Sequence, residues 1–205
     1  GQRSIFSFPA VVLGAFAIFA YVGVEVIAAD TIGLYGSALN VPNFASLTAY
    51  TMVFMVLGYL IGVTMIPKYL SQQTALVGSG IAGFLCVFGV VFSSETSFVI
   101  SNVLWGWTGI ATLPDPITFV ALMGFAHALV WPSVWPLALD GLGKYSAQGS
   151  ALLIMGICGG AILPLVFGQV ASESGDTQLG YWVALPCYLF IFFYAVKGHK
   201  IKSWK

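Results

Sequence analysis

Charge is scarce in this sequence. Seven acidic and seven basic residues make up 7% of its 205 positions, where a soluble globular chain carries about 25%. So few ionic groups cannot cover a water-facing surface, which excludes an ordinary soluble domain. The charges cancel to zero, so there is no basic field to hold nucleic acid. Cysteine is equally sparse. Cys86, Cys158 and Cys187 stand far apart in apolar runs, with neither metal-ligand nor redox spacing, and read as small core hydrophobes. No paired His/Asp/Glu cluster, Ser-His arrangement or Gly-rich phosphate loop occurs, so no enzyme, metal or cofactor is expected. The first apolar stretch is too long for a cleavable signal peptide and lacks the small-residue cleavage pattern.

What is abundant is apolar sequence. Hydrophobic residues fill 59% of the chain, with 16 Phe and 24 Gly, both common in lipid-embedded helices. A helix needs roughly 20 apolar residues to cross the hydrocarbon core. Six runs qualify: Phe6 to about Leu34, Ala45–Ile66, Thr74–Phe92, Ile117–Leu139, Gln148–Val170 and Leu179–Val196. They must be helical, because isolated strands leave backbone hydrogen bonds unmade in lipid and the alternation of a membrane barrel is absent. The expected fold is an all-α membrane protein of six transmembrane helices, residues 1–205 forming one bundle.

The few charges are sorted. Arg3 precedes the first run, Lys68 lies between runs two and three, and Lys144 between four and five. Lys197, Lys200, Lys202 and Lys205 follow the sixth. With six spans every basic residue falls on one side, which the positive-inside rule makes cytoplasmic, with both chain ends there. The opposite loops carry Asp30, Glu95, Asp115, Glu173 and Asp176. The longest of them, residues 93–116, is too short and polar to be a span. Its Trp105 and Trp107 suit the membrane interface, with an outer lid as the lesser alternative. It divides the spans three and three, the outline of an inverted repeat.

Two polar residues sit where lipid should exclude them. Glu25 lies well inside the first span. A charge near the bilayer centre costs at least about 2.5 kcal/mol, so such residues face a cavity or a partner. Gly14, Ala17, Tyr21, Glu25 and Ala28 share one helical stripe, small and polar. Glu25 reads as a substrate or proton ligand, with Tyr21 beside it; the alternative is a buried carboxyl bonded to a neighbouring helix. His127, Trp131 and Trp135 follow at i, i+4 and i+8 in the fourth span. An imidazole flanked by indole planes suits a sugar ring; the alternative is plain packing, and for Trp135 interfacial anchoring. Pro132 and Pro136 should kink or unwind the inner half of this span, and Pro164 the fifth. Gly58 with Gly62, and Gly156, Gly159 and Gly160, match the small-residue pattern of close helix packing.

The stretch Trp-Pro-Ser-Val-Trp-Pro-Leu-Ala-Leu-Asp-Gly-Leu-Gly-Lys-Tyr-Ser-Ala-Gln-Gly-Ser at 131–150, continuing to Pro164, resembles the fucose/glucose–galactose:proton symporter family of the major facilitator superfamily. Tyr-Val-Gly-Val-Glu-Val at 21–26 and Ile-Pro-Lys-Tyr-Leu-Ser at 66–71 resemble it too. The resemblance implies half of a major facilitator fold, helices seven to twelve of a twelve-helix transporter, each half a 3+3 inverted repeat. It implies a hexose or deoxyhexose substrate, alternating access, and coupling to H⁺, with Na⁺ as the other ion. It further implies a bacterial inner-membrane location and a missing N-terminal six-helix half, with this chain cut in the central loop. In that fold the first and fourth helices of each half line the cavity, the two spans that carry Glu25, Tyr21, His127 and Trp131. The family's Asp-Arg-Gly-type loop is reduced here to Pro-Lys-Tyr-Leu-Ser-Gln-Gln, so Lys68 is not expected to gate. The alternative function is a structural or interaction membrane domain without transport of its own.

Overall fold

The computed structural model describes all 205 residues. Six helical spans are long and apolar enough to cross a membrane: Pro9–Ala38, Phe44–Met65, Gln72–Phe92, Asp115–Leu139, Gly143–Ser174 and Thr177–Lys200. The six expected runs are all there, most ends shifted outward by up to five residues, while the first span begins three residues later, at Pro9. Apolar sequence alone does not set those ends; caps do. Ser71 accepts from the Thr74 backbone N–H at 3.1 Å and starts the third span, as a helix N-cap should. Asp176 does the same for Gln178 at 3.0 Å before the sixth. Gly175, at φ +69°, stops the fifth in the left-handed conformation that favours glycine.

Burial repeats along the chain with a period of three spans. Within one 18-residue apolar stretch of each, spans one to three bury 56%, 22% and 39% of the residues; spans four to six bury 72%, 22% and 44%. The first and fourth are therefore central, the second and fifth most open, the third and sixth between. Three spans per unit is an odd number, so the second unit runs through the membrane in the opposite sense, as an inverted repeat requires. The repetition lies in packing environment, not in residue identity.

Small residues let the helices close on one another. An added Cβ at Gly156 would lie 2.5 Å from the Ala15 carbonyl, and one at Gly159 would collide with that of Phe19, so spans one and five touch backbone to backbone. Gly58 meets Ala128 in the same way, joining spans two and four; a Cβ there would stand 2.6 Å from the Ala128 methyl. Buried tyrosines fill the remaining space. Tyr35, Tyr181, Tyr188 and Tyr194 are all but inaccessible. Tyr194 donates to the Ala10 carbonyl at 2.8 Å, and Tyr181 and Thr31 meet at 2.9 Å.

The long connection after span three is a built structure. It forms a short helix, Val99–Trp105, and a 3-10 turn, Gly106–Thr108. Asp115 accepts from the Ile100 N–H at 3.0 Å, and Ser101 both donates to and accepts from Leu113, at 2.8 and 2.9 Å. Tyr50 of span two and Trp105 both donate to the Ala111 carbonyl, at 3.1 and 2.9 Å. Of the two tryptophans expected at the interface, only Trp107 is exposed, at 81%. Trp105 instead packs on Tyr50 and Phe54, because its indole N–H is satisfied inside the segment.

The proline expectations divide. Span four is interrupted at Leu129, between helices Asp115–Ala128 and Val130–Leu139. Pro132 has no N–H for the Ala128 carbonyl, so the break falls one turn before it. Pro136 and Pro164, by contrast, sit within continuous helix. Span five is irregular at Gly156–Cys158, where it tightens to a 3-10 turn, and not at Pro164.

Candidate functional site

The stripe on span one faces inward. Gly14, Ala17, Tyr21 and Ala28 are buried and Glu25 is half-buried, whereas Phe16 points out at 58% exposure. Glu25 stands 16 residues from one end of this 30-residue helix and 13 from the other. At 1.5 Å per residue it is more than about 19 Å from either end. The lysines and the arginine all lie at span ends, loops and tails, so no cation neutralises it.

Tyr21, one turn before Glu25, brings the other expected residues together. Its ring meets His127 edge-on, centroids 5.9 Å apart and planes at 74°. It meets Trp131 at 6.0 Å, and Trp131 meets Trp135 at 5.3 Å. Such spacings are those of favourable aromatic pairs. One continuous aromatic wall therefore runs along the facing sides of spans one and four, across the Leu129 break, with Glu25 adjoining it.

The wall's members differ in access. Trp131 is half-buried. His127 has no exposed surface, and neither ring nitrogen has a hydrogen-bond partner. The same lack recurs at Ser133 Oγ and Trp135 Nε1 further along the span, and at Ser79 Oγ on span three. Each such group carries a desolvation cost of about 1–3 kcal/mol. Span four holds four of the eight buried side-chain atoms without partners; the other four belong to Tyr35, Ser79, Ser93 and Tyr188.

Sequence reasoning missed Tyr59. Its hydroxyl lies 3.3 Å from that of Tyr21, which extends the group to span two. A tyrosine in the middle of an apolar span was the available sign.

A cavity of about 420 Å³ is bounded by Tyr50, Val53, Phe54, Leu57 and Trp105 among others, and every lining residue is hydrophobic. It lies on the opposite face of span two from Tyr59. The Tyr50 and Trp105 donors are both spent on Ala111. A sugar would find nothing there to replace its lost water, so the polar cluster is the candidate site and the roomy cavity is not.

The comparisons agree with this architecture. No family model matches the chain. It is 29% identical over 201 residues to a glucose/galactose transporter of Brucella abortus, an alignment covering 97% of this chain and 45% of that protein. It is 29% identical over 143 residues to the L-fucose-proton symporter of Haemophilus influenzae, covering 67% and 29%. Among solved structures it resembles the major facilitator transporter FucP in the outward conformation, with TM-score 0.75 and 19% identity, over 91% of this chain and 41% of that one. The chain thus spans about half the length of the glucose/galactose transporter it matches. It is an integral membrane protein with the fold of about half of a major facilitator transporter, and it is related in sequence to glucose/galactose transporters and an L-fucose-proton symporter.

Proposed function

We propose that this chain is the C-terminal six-helix half of a secondary active sugar transporter that moves a hexose or deoxyhexose by alternating access. The observation that carries the reading is Glu25, an intramembrane carboxylate without a cation, set beside an aromatic wall on the two central spans. A sugar presents apolar C–H faces and many hydroxyls. Binding it takes a plane and hydrogen-bonding groups together, and Trp131 with Glu25, Tyr21 and Tyr59 offers both. His127 belongs to the same site. An imidazole held with both nitrogens unpaired is costly, and the sugar or its water is the partner that satisfies it in another state of the cycle.

The relatives named glucose/galactose transporter and L-fucose-proton symporter support the substrate class and, from the second, proton coupling. A second six-helix half completes the cavity. The collection of Arg3, Lys68, Lys144 and the C-terminal lysines at one end supports an inner-membrane protein with that end cytoplasmic. Reconstitution of the full-length transporter in proteoliposomes tests the reading. Uptake of labelled glucose, galactose or fucose driven by an inward proton gradient is expected. Absence of uptake of all three, in protein that reconstitutes and melts cooperatively, would overturn it.

One observation favours a second reading, a structural domain without transport. His127 is sealed from solvent and packed on Tyr21, as a purely structural residue would be. That reading predicts no labelled-sugar binding to the full-length protein.

A further inference from the structure

Three segments far apart in sequence meet at the lysine-bearing end. The Arg3 backbone N–H donates to the Tyr145 hydroxyl at 2.9 Å. The Phe8 and Tyr145 rings pack at 5.2 Å. Trp204 of the C-terminal tail donates its indole N–H to the Phe6 carbonyl at 2.8 Å. The start of the chain, the connection between spans four and five, and the tail are thereby tied together.

Their cations are held around two adjoining clefts. One, of about 180 Å³, is lined by Gln2, Arg3, Lys144, Tyr145 and Gln148. The other, of about 250 Å³, shares Arg3 and adds Lys202, Asp140 and the first residues of span one. The Arg3 guanidinium rests 5.4 Å over the Phe8 ring, and the Lys144 ammonium 5.3 Å over Tyr145. These contacts fix where the charges stand. At this end Arg3, Lys68, Lys144, Lys197, Lys200, Lys202 and Lys205 face one acid, Asp140. The bundle itself leaves this positive charge unanswered.

We infer that the paired clefts bind the headgroup of an anionic phospholipid. Arginine's planar fork matches two phosphate oxygens at once, with Lys144 and Lys202 on either side. Tyr145 accepts from Arg3, which leaves its own hydroxyl proton free to donate. Depth selects a lipid over a soluble anion. The second cleft includes Phe8, Pro9 and Ala10, where span one begins, which is headgroup level. Phe6 and Trp204, exposed at 63% and 57%, stand beside it for the glycerol and upper acyl carbons. Basic residues at such a surface gain from anionic lipid individually; here three segments focus them on one point. The inference rests on the spans crossing a bilayer and not on the sugar reading.

Native mass spectrometry of the detergent-solubilised full-length protein, with equal phosphatidylglycerol and phosphatidylcholine, tests it. The expected result is preferential retention of phosphatidylglycerol, reduced about tenfold in Arg3→Gln/Lys144→Gln/Lys202→Gln. All three residues are exposed, so the variant should fold. Lys68→Gln, on the same end but outside both clefts, should retain the lipid as the parent does. Thermal melting should rise with phosphatidylglycerol and not with inorganic phosphate. Four outcomes would overturn the inference: equal retention of the two lipids, an unaffected triple variant, a Lys68→Gln variant that loses as much, or equal protection by inorganic phosphate.

Discussion

The hydroxyls of Tyr21 and Tyr59 lie 3.3 Å apart, which joins span one to span two one helical turn from Glu25. The contact makes Glu25 part of a polar group contributed by two helices instead of a lone carboxylate in lipid. Glu25→Gln keeps the shape and removes the charge. A hydrogen bond to a charged group is worth about 1.5–3 kcal/mol, so sugar uptake by the full-length transporter should fall about tenfold or more at unchanged membrane expression. Tyr59→Phe, which removes a neutral hydroxyl, should cost less, about fivefold in affinity. Wild-type uptake and affinity in both would confine this group to packing.

Spans one and five meet where Gly159 lies under the Phe19 carbonyl. That contact is backbone to backbone, and backbone does not yield. Gly159→Val should push the two spans apart and destabilise the bundle toward the upper end of the roughly 1–3 kcal/mol of overpacking. Gly168, on the same span, has open space where a Cβ would go, and Gly168→Ala should melt as the parent does. Equal melting temperatures for the two variants would show that the close approach is not what holds these spans.

The six spans were legible because length and hydropathy alone decide which segments can cross a bilayer. Glu25 and Tyr21 were legible because a helix puts i and i+4 on one side, and the Leu129 break because Pro132 cannot bond four residues back. What depends on a second helix was not legible. Nothing near Tyr59 in sequence says that it meets Tyr21. The complete burial of His127 follows from how spans one, two and four close, with Gly58 against Ala128. Trp105 and Trp107 look alike in sequence, yet the Ala111 carbonyl draws one inward. The family resemblance already pointed to the first and fourth spans, whereas the order of burial among all six is a property of the bundle.

Sidedness is open to direct measurement. Ser174 and Ser203 are both exposed and belong to opposite ends of the bundle. Single cysteines placed there, in a parent without native cysteines, should differ in reach of a membrane-impermeant maleimide. Ser174→Cys should label in intact cells, and Ser203→Cys only after permeabilisation. Labelling of Ser203→Cys from outside would reverse the assignment of the lysine-bearing end to the cytoplasm.

His127 and Trp131 share the wall with Tyr21 but differ in burial, and that difference separates their expected phenotypes. Trp131 is half-buried, so truncation removes a contact plane more than a core. Trp131→Ala should weaken sugar binding by about 1–3 kcal/mol, the scale of losing a packed aromatic anchor, with a small change in melting. His127 is fully enclosed, so His127→Ala opens a cavity and should lower stability by about 2–4 kcal/mol whatever its role. His127→Phe resolves the ambiguity. It refills the space with a ring and deletes only the two unpaired nitrogens, so it should melt at or above the parent temperature. If the nitrogens await a sugar hydroxyl or its water, calorimetry should nonetheless show affinity lost in His127→Phe, about 1–2 kcal/mol for a hydrogen bond not made. Parent-like affinity in that variant would leave His127 a packing residue and the recognition of sugar to Glu25, Tyr21 and Trp131.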